Sequence, residues 1–470
     1  MSIEETLLAV QRGSVTAPAG CGKTHLIAAA LRQHQGRLPI LVLTHTNAGV
    51  SALRLRLNNT GVPASAYRVA TIDGFAKRVA ASFPRRSGIN PRVLELTNPG
   101  RDYPAIRAAA IAALEGRHLD DVLSATYARL FVDEYQDCSL TQHRIVSALA
   151  VALPVCVLGD PMQAIFGFSE RLIDWQADVL PNYPSVGELN DTWRWTNVGA
   201  ADLGGWLLEV RRALELGQKI DVRTLPQRVE YVHVSPAQDD IRRMVALRAR
   251  AETNQGSVLI IADSRNVAGR HQLASQTPGA TVVETVDLRD LTSFGRQFDP
   301  VAPDATSRLL AFAGSLMTSL AVAQTLQRLN SIRDGRARNP PTDAEAALLE
   351  FEQTRTLHSA RRAITCLRAQ SNVRVYRHEV LERCLRAMGR AADGHCSFHE
   401  ATVLERERFR QRGRPLASRN IGSTLLLKGL EAEVAAILHP EQMDARHLYV
   451  ALSRASHRII VCSTTPILPV

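Results

Sequence analysis

The sequence predicts an α/β protein of two parallel-sheet domains with mainly helical insertions. Three observations carry this: short apolar runs ending in polar loops, helical periodicity behind them, and a glycine-containing loop joining the first run to its helix. Residues 13–17 (GSVTA) read as a buried strand that passes through PAGCG into a helix opening at KTHLIAAALRQH. Residues 40–44 (ILVLT) form a second strand-like run, with helical spacing over 50–57 behind it. Residues 130–132 and 155–158 are two further short strands, followed by DEYQD and GDPMQ. Ligands bind at the carboxyl ends of strands in open α/β sheets, which singles out these loops.

A second series of runs, 229–234, 258–261, 282–286, 434–438 and 459–462, reads as another α/β domain. Residues 288–414 between its halves lack strand pattern and are rich in Ala, Leu and Arg at helical spacing, as a helical insertion would be. A smaller insertion is expected over 78–127, where RRSGINPR and TNPGRDYP read as loops. The expected division is therefore a first domain at 1–185 and a second at 186–470, the latter built from 186–287 and 415–470 around its insertion.

The 470 residues suffice for two or three domains at roughly 150 residues each. A composition 45% hydrophobic and 22% charged, with mean hydropathy −0.08, argues against a disordered or fibrous chain. The longest apolar runs fall short of the ~20 residues that span a bilayer. The N-terminus carries acids where a secretory signal carries a basic stretch, so the expected location is cytoplasmic. Seven cysteines, at 21, 138, 156, 366, 384, 396 and 462, contain no C-x-x-C pair and suit reduced thiols. His395, Cys396 and His399, with Cys366 and Cys384 upstream, are metal-ligand types at a spacing that matches no finger or cluster. A net charge of +10 and a pI near 9.6 bias the expected partner towards an anion such as nucleic acid. Of the 56 basic residues only four are lysines, at 23, 77, 219 and 428, and 52 are arginines. A lysine in such a chain draws attention, because a compact ammonium is not interchangeable with a planar guanidinium.

Residues 17–24, APAGCGKT, form a phosphate-binding loop with Ala17 in place of the first glycine. Backbone N–H groups around Ala19, Gly20, Cys21 and Gly22 and the helix start at His25 would cradle phosphates, Lys23 would neutralise the β and γ oxygens, and Thr24 would ligate Mg²⁺. Asp133 and Glu134 follow a strand, an order that sets one carboxylate on the metal and the next near an attacking water. Hydrolysis of a nucleoside triphosphate is the reaction these two motifs imply together.

The series APAGCGKT, LTHTN, TIDGF, DEYQD, GDPMQAIFGF, TWRWT, KGLE and YVALSRA resembles, in order, the motifs of the UvrD/Rep/PcrA-type DNA helicases of superfamily 1A. The resemblance implies two RecA-like domains with ATP and Mg²⁺ between them, single-stranded DNA across the top, and 3′ to 5′ translocation. It implies that Lys23, Glu134, Gln163, Arg194 and Arg454 are catalytic, the arginines reaching the γ-phosphate from the second domain, and that Asp133 and Thr24 hold the metal. Gln136 would sense the γ-phosphate, Trp193 would stack on adenine, and Glu431 would meet the ribose. On the DNA side it implies Thr44, His45, Thr46, Asn47, Thr71, Phe166, Phe168 and Lys428. The pattern departs from the family at Leu425, at Asp73 and Gly74, and at Ser169. The compact size and the Asp73–Phe75 variant are also similar to UvrD-like subunits that accompany nucleases in Gabija-type anti-phage systems. The expected partner is therefore single-stranded or tailed duplex DNA, with a nuclease subunit as a further candidate and a DNA-stimulated regulatory ATPase as the alternative to a helicase. A nucleotide switch using GTP is disfavoured, since it leaves the aromatic pair and both motif arginines without a role.

Overall fold

Each of the four strands read in the first half of the chain is a strand of one sheet. The computed structural model describes residues 2–96, 98–166, 170–223, 226–235, 239–411 and 417–470. Strands β1 (Arg12–Thr16), β2 (Ile40–Thr44), β3 (Tyr67–Thr71), β4 (Leu130–Val132), β5 (Val155–Gly159) and β6 (Ser185–Glu188) form a sheet of order β3-β2-β4-β5-β1-β6, parallel throughout. Both faces are covered, which is why β2 (ILVLT) and β5 (VCVLG) are continuously apolar. The strand period of two sorts their side chains: Leu41, Leu43, Leu130, Val132, Val155 and Val157 meet helices Ile72–Ser82, Pro99–Glu115 and Leu140–Ala152. Ile40, Val42, Phe131, Cys156 and Leu158 face the other way, onto helices Lys23–Gln33 and Asn47–Asn59.

Two compact units divide the chain. The first runs to Tyr231 and takes in Pro440–Ile459 and Thr465–Val470; the second holds Val232–His439 and Ile460–Thr464. The chain continues through β7 (Ile220–Asp221), β8 (Val229–His233), β9 (Val258–Ile261), β10 (Ala280–Val282), β11 (Arg419–Gly422), β12 (Ala432–Ile437), β13 (Ala455–Ser463) and β14 (Ile467–Leu468). The second six-stranded sheet has the order β10-β11-β9-β12-β13-β8, and β9 pairs in parallel with both β11 and β12. The α/β class with two parallel sheets is thus the observed one.

The strand expected at 282–286 lies at Ala280–Val282 instead, because its ladder partners run Ala280↔Arg419 to Val282↔Ile421. β3, β6 and β11 carried too little apolar signal to be read: YRVAT is interrupted by an arginine, SVGE offers one valine, and RNIG one isoleucine. Residues 289–411 of the second unit fold into seven helices among the described residues, from Arg289–Gln297 to Phe398–Gln411. Their core is a phenylalanine cluster, in which Phe294 and Phe312 stack with ring centres 3.9 Å apart, surrounded by buried Leu, Ala and Met. Cys384 lies in this core, with Cys366 and Cys396 packed against it. Among the described residues, no group of three or more His, Cys, Asp or Glu side chains could hold a metal ion, and no helix is long and apolar enough to cross a membrane.

Candidate functional site

The strand order builds the site. β4, β5 and β1 are neighbours, so the loops leaving their carboxyl ends, at Asp133, Asp160 and Ala17, emerge side by side. The first loop closes tightly, with Cys21 N–H donating to Pro18 O at 3.1 Å and Ala17 N–H donating to Gly159 O at 2.8 Å. Gly20 and Gly22 stand at φ 72° and 84°, and a Cβ on either would strike an indole: Trp195 at 2.5 Å from Gly20, Trp193 at 2.9 Å from Gly22. Gly22 caps helix Lys23–Gln33, whose free N–H groups face the loop. Ala19 N–H donates to the buried Tyr449 hydroxyl at 3.1 Å, a residue of the YVALSRA motif to which the sequence reading gave no role. Cys21 is buried, and burial pushes its thiol up to about 12, which makes it an inert loop residue at neutral pH.

Lys23 is the electrostatic centre. Its Nζ lies 2.9 Å from Asp133 Oδ1 and 2.5 Å from Glu134 Oε1. Burial disfavours the ammonium, but the two carboxylates outweigh it and hold Lys23 above the ordinary lysine range. Glu134 adopts the left-handed conformation, φ 54° and ψ 40°, which costs a non-glycine residue about 1–2 kcal/mol. Its N–H donates to Asp133 Oδ1 at 3.0 Å, which fixes the two carboxylates relative to each other.

From Glu134 a hydrogen-bonded chain leads outward. Gln136 Nε2 donates to Glu134 Oε2 at 2.5 Å; Asp160 N–H donates to Gln136 Oε1 at 3.1 Å. Gln163 Nε2 donates to Asp160 Oδ2 at 3.0 Å, and Arg454 Nη2 donates to Gln163 Oε1 at 3.5 Å. Arg454 is further held by Val450 O and Ser453 Oγ, each at 2.8 Å. Arg194 N–H donates to Gly20 O at 3.1 Å; its guanidinium donates to Ser453 O at 2.6 Å and lies 5.1 Å above the Trp195 ring. Both arginines therefore group with the phosphate loop in the first unit, whereas the sequence reading drew them from the second domain. Of the neighbouring tryptophans, Trp195 is core, donating to Ala455 O at 2.9 Å, while Trp193 is 49% exposed and stacks on His25 at 6.0 Å.

The carboxyl ends of β2 and β3 carry the second group of residues. Their register pairs Thr44 with Thr71, so the helices that start at Asn47 and Ile72 begin beside each other. Thr46 and Thr71 cap these helices, accepting from Gly49 N–H and Gly74 N–H at 3.0 and 2.9 Å. Each hydroxyl keeps its proton to donate. Thr46 and Asn47 are exposed, but Thr44, expected as a phosphate contact, is 1% exposed and faces inward. The His45 and Phe166 rings meet at 6.0 Å. Phe168 and Ser169 lie outside the described residues. Lys428 and Glu431 belong to the second unit, at the turn between helix Thr424–Leu427 and β12, where Gly429 takes φ 81°.

Asp73, one of the departures from the family pattern, has its own partner. Arg107 Nε and Nη2 donate to its two carboxylate oxygens at 2.7 and 2.8 Å, and Nη1 donates to Glu170 Oε1 at 2.8 Å. Gln142 Nε2 adds a bond to Asp73 Oδ1 at 3.3 Å. One guanidinium thus ties helices Ile72–Ser82 and Pro99–Glu115 to the segment behind Phe166. Arg107→Ala is expected to lower the stability of the first unit by about 1–3 kcal/mol, since it strands a partly buried carboxylate; urea unfolding followed by circular dichroism checks this. Neither Arg107 nor Arg211, whose nitrogen meets Asp160, was singled out in the sequence. The signal for Arg211 was present: it falls on the buried face of its helix with Leu207, Val210 and Leu214.

Fold and site together define a P-loop protein with two parallel α/β sheets. Comparison narrows this: residues 101–175 match the family model of the UvrD/REP helicase N-terminal domain, over the stretch that carries DEYQD and GDPMQ. The resemblance to UvrD/Rep-type helicases is thereby borne out over residues 101–175. Among solved structures, the PRRSV helicase is similar at TM-score 0.36 and 11% identity, over 98% of this chain and 54% of that one. The arterivirus nonstructural protein 10 helicase, solved with DNA, is similar at TM-score 0.36 and 9% identity, over 97% of this chain and 62% of that one. The chain thus spans little more than half the length of these helicases. No curated protein matches its sequence.

Proposed function

We propose that the chain is an ATP-dependent 3′ to 5′ single-stranded DNA translocase and helicase of the UvrD type. The observation that carries the reading is the Lys23 ammonium held by Asp133 and Glu134 at the mouth of a phosphate loop, one hydrogen-bonded chain away from Arg454. In this reading residues 1–185 are the first RecA-like domain, and 186–287 with 415–470 the second, carrying the helical insertion 288–414.

The donor set suits a phosphate-bound Mg²⁺. Thr24 at the helix start and the buried Asp133 offer two oxygens, and this ion is commonly held by one or two protein oxygens with waters and substrate phosphates. Thr24 and Asp133 would hold the metal, which supplies charge neutralisation at the β and γ oxygens. Lys23 exchanges its carboxylate partners for those oxygens when ATP enters. Glu134, pinned by Gln136, accepts the proton of the attacking water. Gln136 and Gln163 report the γ-phosphate, Arg194 and Arg454 neutralise charge as the bond to it breaks, and Trp193 stacks on the base above Gly22. Ala19, Gly20, Cys21, Gly22 and His25 line the same loop, and the role of Glu431 at the ribose rests on the resemblance alone.

For DNA, the helix starts at Thr46 and Thr71, with Asn47 and Lys428, contact phosphates, and His45, Phe166 and Phe168 provide the stacking platform. The test is ATP hydrolysis with and without single-stranded DNA, run beside displacement of a 3′-tailed duplex, with Glu134→Gln as control. Stimulated hydrolysis with unwinding, both lost in Glu134→Gln by on the order of 10²-fold or more, is the expected result. Stimulation without unwinding favours a regulatory ATPase subunit of a nuclease complex. Absence of stimulation rejects the DNA-coupled reading.

A further inference from the structure

We propose that Arg211 is a positioning residue for ATP hydrolysis, holding the Asp160 carboxylate so that Asp160 sets the orientation of Gln163 beside Arg454. The proposal rests on the reading of this loop system as an ATPase site. It starts from the position of Arg211 on the apolar face of helix Ala201–Glu215, its side chain 4% exposed. An arginine there is costly unless its charge and donors are met. Nε donates to Asp160 Oδ1 at 3.1 Å, while Nη1 donates to Glu188 and Glu215 at 3.4 and 3.2 Å nearer the surface.

Asp160 is fully buried, and every hydrogen bond it makes points to the same role. Oδ1 accepts from Arg211 and from Met162 N–H at 3.1 Å, Oδ2 accepts from Gln163 Nε2, and its own N–H donates to Gln136. The carboxylate is therefore the branch point between the arm that ends on Glu134 and the arm that ends on Arg454. A primary amide has one donor end and one acceptor end. With Nε2 committed to Asp160, Gln163 must turn Oε1 towards Arg454, as it does. Without Arg211, Asp160 Oδ1 loses its guanidinium donor, and the carboxylate is free to swing off Gln163 Nε2. Gln163 could then rotate and present its NH₂ to a guanidinium, donor against donor. Arg211 prevents this through its bond to Asp160.

The test is steady-state ATP hydrolysis by the full chain carrying Arg211→Met, Gln163→Ala, or both. Arg211→Met is expected to lower kcat by about 10- to 100-fold while KM changes by less than about threefold, as the loss of a supporting residue behind a catalytic group does. In the Gln163→Ala background the same change should cost almost nothing more, because both act through one group; a merely structural effect would multiply. Arg211→Lys keeps the charge and one donor, and recovers part of the loss; it also takes the place of Arg211→Met in the cycle if that variant does not fold. A folded Arg211→Met enzyme with wild-type kcat, or full multiplicative loss in the double variant, overturns the proposal alone. A wild-type chain that hydrolyses no ATP overturns the parent reading, and this one with it.

Discussion

Lys23→Ala is expected to abolish ATP hydrolysis, with kcat falling by on the order of 10³-fold or more, because Lys23 is the cation that the phosphate loop itself carries, and Arg194 and Arg454, which act on the same phosphoryl, do not take its place. The other lysines of the chain are at 77, 219 and 428, and the two arginines are held by main-chain carbonyls, Arg194 by Ser453 O and Arg454 by Val450 O. The sequence alone suggests that such a variant keeps its fold, since a loop lysine is not a core residue. The ion pairs change that expectation. Lys23 is what balances Asp133, a buried carboxylate, and Glu134, a more exposed one, so alanine leaves the first of these without a cation. A fall in the thermal midpoint should therefore accompany the loss of activity, and it should shrink when Asp133→Asn is added. Circular dichroism melts of the single and double variants, beside a phosphate-release assay, separate the catalytic from the structural part. Normal hydrolysis by Lys23→Ala would remove the basis of the ATPase assignment.

The largest stability effect is expected in the second unit, at Arg377. Its side chain is buried, donating to both oxygens of the buried Glu284 at 2.6 and 3.0 Å and to Asp290 at 2.8 Å. These three residues come from different places: the segment after β10, the first turn of helix Arg289–Gln297, and the residue that precedes helix His378–Ala392. Arg377→Ala should cost about 3–5 kcal/mol, the range for removing one partner of a buried pair, because Glu284 is left in the interior without its cation. Replacing Arg377 and Glu284 together by Met and Gln should cost much less. Hydrogen exchange resolved along the chain would place the loss in the seven helices and the adjacent strands. Equal unfolding midpoints for wild type and Arg377→Ala would refute this account.

How much of the molecule could be read beforehand follows from where its information is local. β2, β4 and β5 are central strands covered on both faces, so their residues are apolar in a nearly unbroken run and announce themselves, while β1 (RGSVT) is marked by the glycine-containing loop it enters. β3 and β6 sit at the sheet edges, and β11 carries a buried asparagine, so none offers such a run. The phosphate loop was legible because Gly20, Gly22 and Lys23 must stand at fixed spacing for reasons of backbone conformation and charge. Arg107 was not, and Arg211 showed only its place on a buried helix face, because each acts on a carboxylate 34 or 51 residues away and one arginine among 52 carries no mark of its partner. Thr44 shows the opposite error: the motif names it, but its position as the last residue of a buried strand turns its side chain inward.

Trp193 gives the chain an optical probe of its own. The indole lies over Gly22, against His25, with about half of its surface in water, while Trp175 and Trp195 are enclosed and Trp206 is partly buried. Emission from a half-hydrated indole shifts to shorter wavelength when a flat ring covers it, so occupancy of the loop can be followed by intrinsic fluorescence, without labelled nucleotide. The same residue that would grip the base would then time its arrival and departure, and a Trp193→Phe chain supplies the background emission of the other three tryptophans.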